Sequence, residues 1–85
     1  MIYVHISIKS VTSLHPGGWQ GELTLPDHTT AGELPEILLG MEDFADAKGD
    51  IFHATVFIRN GLVVPRRTVL EDGDRVTIRR LMSGG

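Results

Sequence analysis

The chain has 85 residues, enough for one small domain built around a single hydrophobic core. It contains no cysteine, which excludes disulfides and thiolate metal ligands. No apolar run approaches the roughly 18 residues of a membrane span, and the N-terminal residues lack the basic flank and the apolar stretch of a signal peptide. We therefore expect a soluble, cytoplasmic protein.

Charge is divided unevenly along the chain. Residues 1–50 carry a net charge of −6 and residues 51–85 a net charge of +3, which gives −3 overall. An acidic total argues against nucleic-acid binding, which depends on a concentrated positive surface. The arginines of the C-terminal part either keep strand edges from aggregating or steer the chain toward an acidic or nucleotide-bearing partner: Arg59, Arg66, Arg67, Arg75, Arg79 and Arg80.

Two strands are predicted near the N-terminus. Apolar and polar residues alternate over residues 2–9, which is typical of a strand with one buried face. Residues 10–21 are rich in turn-forming residues, and residues 22–25 alternate again. We expect the two strands to pair as a hairpin with a long connecting loop.

One helix is predicted after the second strand. Its apolar residues recur at i, i+3, i+4 and i+7, which places them on one face: Leu34, Ile37, Leu38 and Met41. Thr30 and Glu33 match a capping box, which would start the helix there. Pro35 instead suits the first turn of a helix that begins at Leu34, so both starting points remain open. Gly40 either ends the helix or is tolerated within a helix that continues beyond it.

A second hairpin and a last strand are predicted in the C-terminal half. Residues 52–59 have the composition of a strand, and Asn60-Gly61 is the strongest short signal for a two-residue turn, since both of its residues adopt positive φ. Residues 62–64 return as a short strand. A polar turn over residues 69–74 then leads into a strand over residues 75–79.

The two-residue turn also fixes the register of the second hairpin. It places Phe57 opposite Val64 on one face of the pair, and Ile58 opposite Val63 on the other. We expect Val56 and Ile58 to face the core and Phe57 to face outward.

The predicted order of elements is strand, strand, helix, strand, short strand, strand. A single helix excludes the ferredoxin-like arrangement, which needs two, and favours an α+β fold with one helix packed across one face of a mixed four- to five-stranded sheet. We expect the first and last strands to be adjacent and parallel. The helix face should pack on one set of strand residues: Ile2, Ile6, Val56, Ile58 and Val76.

The sequence ends in Ser83-Gly84-Gly85. Glycine has no Cβ, so the last two residues can adopt extended or positive-φ conformations and enter a slot too narrow for other residues. The terminal carboxylate is therefore a candidate reactive group, with an inert, frayed end as the alternative. We expect a domain over residues 1–81 and a flexible tail over residues 82–85.

Three segments of the C-terminal third form one pattern: residues 60–66 (NGLVVPR), residues 70–78 (LEDGDRVTI) and the terminal Ser83-Gly84-Gly85. Together they resemble the ubiquitin-like sulfur carriers of the MoaD/ThiS family. The order of elements is also similar to the β-grasp fold of that family over nearly the whole chain. The long first loop resembles the molybdopterin-type carriers and the NGLVVPR segment the thiamine-type carriers, so the pathway stays open.

The resemblance implies a function for the terminus. Members of the family are adenylated on the terminal glycine by an ATP-dependent activating enzyme and converted to a thiocarboxylate. A partner, thiazole synthase or the large subunit of molybdopterin synthase, then takes the sulfur. By this resemblance Gly85 is the reacting residue, and Gly84 and Ser83 give the tail its flexibility. The chain would be a monomeric carrier rather than an enzyme, with no permanently bound cofactor and with ATP used by the activating enzyme.

We expect the activating enzyme and the synthase to bind the outward sheet face, on five residues: Phe57, Arg59, Leu62, Val64 and Arg79. The alternative is that Phe57 lies beneath the first loop and Trp19. The four histidines lack the spacing of metal ligands, so no metal site is predicted. Two other functions share the same fold, namely a ubiquitin-like modifier joined to lysines and an interaction module with an inert tail.

Overall fold

A computed structural model of the protein describes residues 1–9, 18–45 and 55–80. These ranges contain five strands, one α-helix and two 3-10 helices. The strands are β1 (Ile2–Lys9), β2 (Trp19–Leu25), β3 (Thr55–Arg59), β4 (Leu62–Val64) and β5 (Arg75–Arg80). The α-helix, α1, spans Leu34–Leu39, and the 3-10 helices span Ala31–Glu33 and Glu42–Phe44.

The strands form one mixed sheet in the order β2-β1-β5-β3-β4. The central pair, β1 and β5, is parallel, and the other three pairs are antiparallel. The predicted α+β class is therefore confirmed, as is the prediction that the first and last strands are adjacent and parallel. β5, which ends at Arg80, is held by a strand on each side in the middle of the sheet.

The core lies between α1 and one face of the sheet, which we call the inner face. Leu34 and Leu38 of α1 are fully buried, and they belong to the same buried cluster as Ile6 of β1 and Val76 of β5. Ile6 and Val76 are direct neighbours in the parallel register. The i, i+4 pair of the helix thus packs on the centre of the sheet, as its spacing predicts.

The predicted orientation of β3 is wrong. Phe57 is in register with Ile78 of β5, which is fully buried on the inner face, so Phe57 also points inward. Val56 and Ile58 lie instead on the opposite, outer face of the sheet and are half-buried. Three successive apolar residues give no alternation, and pairing with β5 decides which of them enters the core.

The helix begins in a way that combines both predicted starts. The Glu33 carboxylate accepts hydrogen bonds from the Thr30 backbone N–H at 3.2 Å and from the Thr30 hydroxyl at 3.0 Å, and a 3-10 turn forms there. The α-helix itself begins at Leu34 with Pro35 in its first turn, where no N–H is needed. It ends at Gly40, which is the C-cap residue.

The predicted hairpin between β3 and β4 is confirmed. Asn60 and Gly61 adopt φ values of 51° and 90°, as a type I′ turn requires. The observed pairs include Phe57 with Val64 and Ile58 with Val63. The turn chemistry therefore sets the register, although it does not set which face is buried.

The segment between β4 and β5 is fastened to the residues before α1. Three backbone hydrogen bonds of 2.8–2.9 Å join them: Leu70 N–H to Thr29 O, Ala31 N–H to Thr68 O and Gly32 N–H to Arg66 O. At Gly32 the two backbones approach so closely that a Cβ would lie 3.0 Å from Arg66 Cβ and 3.1 Å from Arg66 O. The helix start is thereby tied to the entry of the last strand.

Candidate functional site

The predicted partner contact at Phe57 is not on the surface. Its side chain is 1% exposed, and the guanidinium carbon of Arg66 lies 5.7 Å from the ring centroid. Trp19 lies elsewhere: its indole packs edge-on against Phe44 with centroids 5.3 Å apart, and its Nε1 donates to Asp43 Oδ2 at 2.8 Å. Phe57 therefore stabilises the core, and the prediction that it is exposed for contact with a partner is wrong.

Arg59 is engaged within the fold. Its Nη1 donates to the Val69 carbonyl at 3.1 Å and lies 3.7 Å from Asp74 Oδ2. Asp74 is buried, and its Oδ2 also accepts a hydrogen bond of 2.8 Å from the Glu71 backbone N–H. A buried carboxylate is costly unless it is hydrogen-bonded and paired. Arg59 therefore secures the turn before β5, which sets the position of the last strand.

The edge strand β4 presents apolar side chains to both faces of the sheet. Leu62 and Val64 share the face of Arg59 and Phe57; Leu62 is 72% exposed, whereas Val64 is half-buried against the core. Val63 points to the outer face and is 69% exposed. Of the predicted contacts on β4, only Leu62 is fully accessible, and it does not lie on the outer face.

The outer face carries an apolar strip that sequence reasoning placed on the wrong side. The strip consists of Val56, Ile58 and Val63, with Ile58 and Val63 in direct register. Arg79 of β5 is in register with Val56 and lies on the same face. Since α1 covers only the inner face, the strip has no cover from the helix layer. Apolar neighbours on an exposed face, bordered by a charge, are typical of a protein contact.

Charges on the outer face are mostly positive. Its cations within the described residues are Lys9, Arg75 and Arg79, and its one described carboxylate is Glu22. Glu22 accepts a hydrogen bond from the Tyr3 hydroxyl, which raises the pKa of Tyr3 above its ordinary value because the bond favours the protonated phenol. The exposed acids of the helix layer lie on the other side of the sheet: Glu33, Glu36, Glu42 and Asp43.

The predicted reactive end lies outside the described residues. Ser83, Gly84 and Gly85 follow Arg80, the last residue of β5. Arg79, the remaining predicted contact residue, is exposed on the outer face and lies one residue before the end of β5. The structure thus places Arg79 near the end of β5, on the face of the sheet opposite to Arg59 and Leu62.

Two other kinds of site are not found in the described part of the chain. No three His, Asp or Glu side chains of residues 1–9, 18–45 and 55–80 lie together as ligands of a metal ion would. None of the helices in those ranges is long and apolar enough to cross a membrane.

Solved structures match the chain, although no protein-family model and no curated protein sequence does. Small archaeal modifier protein 1 of H. volcanii superposes with a TM-score of 0.71 at 13% identity, covering 96% of this chain and 100% of that chain. A putative molybdopterin converting factor, subunit 1, from Pyrococcus furiosus gives 0.71 at 18% identity, covering 96% and 100%. The ubiquitin of Caldiarchaeum subterraneum gives 0.60 at 19% identity, covering 99% and 98%. These similarities show a ubiquitin-like β-grasp fold.

Proposed function

We propose that this protein is a sulfur carrier whose Gly85 carboxylate is adenylated and converted to a thiocarboxylate. The observation that carries the proposal is a ubiquitin-like β-grasp fold whose last, central strand is followed within five residues by Gly84-Gly85. In this proposal the folded domain is recognised and the tail reacts. The chain is then a co-substrate of the cytoplasmic enzymes that act on it.

The chemistry follows from the weakness of a carboxylate as an acyl donor. A Gly85 oxygen attacks the α-phosphorus of ATP in the activating enzyme, and pyrophosphate leaves. The product is a mixed anhydride with AMP as a good leaving group. Hydrosulfide then attacks the carbonyl carbon, AMP departs, and the thiocarboxylate forms. Because glycine has no Cβ, the carbonyl carbon stays open to the nucleophile. A synthase of thiazole or molybdopterin biosynthesis then accepts the sulfur.

The decisive experiment removes Gly85. Deletion shortens the reach of the tail by about 3.5 Å, and a misplacement of only about 1 Å can cost on the order of 100-fold in rate. We expect ATP-dependent adenylation by the cognate activating enzyme to be abolished while the melting temperature stays unchanged, since a terminus of small residues buries little apolar surface. Equal turnover of both chains, or a sharp fall in melting temperature, would refute the proposal.

A ubiquitin-like modifier is the second candidate function. The similarity to a small archaeal modifier protein and to an archaeal ubiquitin favours it. A modifier would form the same adenylate at Gly85, but a lysine amine would finally take the acyl group. The intact mass of the protein purified from its own cells separates the candidates. Replacement of one oxygen by sulfur identifies a carrier, an adduct linked through Gly85 identifies a modifier, and an unmodified chain that no enzyme adenylates identifies an inert tail.

We propose that the activating enzyme binds the outer face through the apolar strip. Val63 and Leu62 are adjacent, similarly exposed apolar residues that point to opposite faces, so they form a matched pair. Val63→Asp should raise the KM for activation by on the order of tenfold, because it places a charge in an apolar contact. Leu62→Asp should leave the KM unchanged. The reverse result would assign recognition to the other side of β4.

A further inference from the structure

Lys9 and Arg79 form a like-charged pair on the outer face. They are direct partners in the parallel register of β1 and β5, so their side chains stand side by side. Both are exposed. Like charges on neighbouring strands repel and destabilise a sheet. The fold therefore gains nothing from this pair.

No described carboxylate offsets the pair. The ion pairs within residues 1–9, 18–45 and 55–80 join the Met1 amino group to Asp27 and Arg59 to Asp74. On the outer face Glu22 is in register with His5, four residues before Lys9. Four residues of strand span about 13 Å, more than a Debye length at physiological salt. Within the part of the chain that the structure describes, the positive charge of the pair is thus not neutralised and can meet a ligand.

The pair lies where the tail begins. Five residues separate Arg80 from the end at Gly85, and five extended residues span at most about 17 Å. When Gly85 reaches a nucleotide inside an enzyme, Lys9 and Arg79 stand at the mouth of the channel that admits the tail. Their ligand is then a group fixed on the enzyme surface and not the nucleotide at the reacting carbon.

We propose that Lys9 and Arg79 bind carboxylate side chains on the rim of that channel in the activating enzyme. The inference rests on the proposed function of Gly85. Arginine can bind a carboxylate through two parallel hydrogen bonds, and lysine adds a compact charge beside it. The whole chain is acidic, with a net charge of −3, so the chain without these two cations carries −5. A local positive pair therefore orients an acidic partner toward the base of the tail and raises the association rate.

Arg75 provides a matched control. It lies on the same face of the same strand as Arg79 but in register with His5, at the end of β5 away from the tail. Arg75→Glu and Arg79→Glu change the net charge equally. Arg79→Glu also turns the repulsive pair with Lys9 into an attractive one, so its melting temperature should be equal to or higher than that of the wild type.

The experiment measures activation kinetics at several salt concentrations. We expect Arg79→Glu and Lys9→Glu to raise the KM by on the order of tenfold at low salt with little change in kcat, and high salt should shrink the difference. Arg75→Glu should have a clearly smaller effect. An equal effect of Arg75→Glu and Arg79→Glu, or an unchanged KM for Arg79→Glu and Lys9→Glu, would overturn the proposed binding by Lys9 and Arg79, while the proposed function of Gly85 would stand. If the wild-type chain is not adenylated, both the proposed function and the proposed binding by this pair are refuted.

Discussion

Replacing Phe57 with Ala should destabilise the fold severely, whereas replacing its neighbour Ile58 should not. Phe57 is 1% exposed and contacts the buried core opposite Ile78. Truncation of a buried Phe to Ala costs about 3–5 kcal/mol, and losing the Arg66 guanidinium above the ring adds about 0.5–1 kcal/mol. A domain of 85 residues is stable by about 4–13 kcal/mol. Phe57→Ala thus removes a large share of the total.

Ile58 is one residue away and lies half-buried on the outer face. Full burial of an Ile side chain contributes about 1.5–3 kcal/mol, so truncation of a half-buried one should cost about 1 kcal/mol. Urea unfolding followed by the fluorescence of Trp19 gives both values. If Phe57→Ala leaves no folded protein, Phe57→Leu should still fold with a loss of about 1–1.5 kcal/mol. Equal losses for the Phe57 and Ile58 variants would refute the inward orientation of Phe57.

Two further predictions concern the close backbone approach and the outer face. Gly32→Ala should lower the free energy of unfolding by about 1–3 kcal/mol, measured by thermal or urea unfolding, since its Cβ would press against the Arg66 backbone. Gly40→Ala is the control: its Cβ would meet nothing closer than 3.4 Å, so it should be neutral or slightly stabilising. In a spectroscopic titration of Tyr3, the chain's single tyrosine, Glu22→Gln should lower the pKa toward its ordinary value, because the Glu22 carboxylate favours the protonated phenol. Because the folded pKa is the raised one, the stabilisation from this bond is complete below the unfolded pKa and is lost as the pH rises through the folded pKa. An unchanged Tyr3 titration in the variant, or equal stabilities for the two alanine variants, would contradict the respective contact.

Local chemistry predicted most of the architecture. The alternation of β1 places Val4, Ile6 and Ile8 inside, and all three are buried. The Asn60-Gly61 turn predicted every observed pair between β3 and β4. These features depend on residues close in sequence, where a period of two or a requirement for positive φ leaves few choices.

The features that sequence reasoning missed depend on contacts between distant residues. Residues 56–58 are apolar at each position, so only pairing with Ile78 of β5 sends Phe57 inward. The hydrogen bond from Trp19 to Asp43 joins residues 24 positions apart, and no local pattern marks it. Buried Phe44 sits beyond the helix in a 3-10 turn, outside the periodic face that predicted Leu34 and Leu38. Misplacing Phe57 also placed Val56 and Ile58 on the wrong face, because a shift of one residue exchanges the two faces of a strand.

Net charge alone proved a poor guide to the surface that a partner would meet. Four of the eleven acids lie in the helix layer, whereas the outer face of the sheet carries Lys9, Arg75 and Arg79 against a single described carboxylate, Glu22. Three cations on two neighbouring strands, Lys9 on β1 and Arg75 and Arg79 on β5, are fewer than the roughly six to ten phosphate contacts of a nucleic-acid-binding protein. They border an apolar strip, which a phosphate backbone would not cover, and two of them, Lys9 and Arg79, lie near the end of β5 at Arg80. The composition of this face therefore fits an acidic protein surface with an apolar centre, and under the proposed function that same protein also receives Gly85.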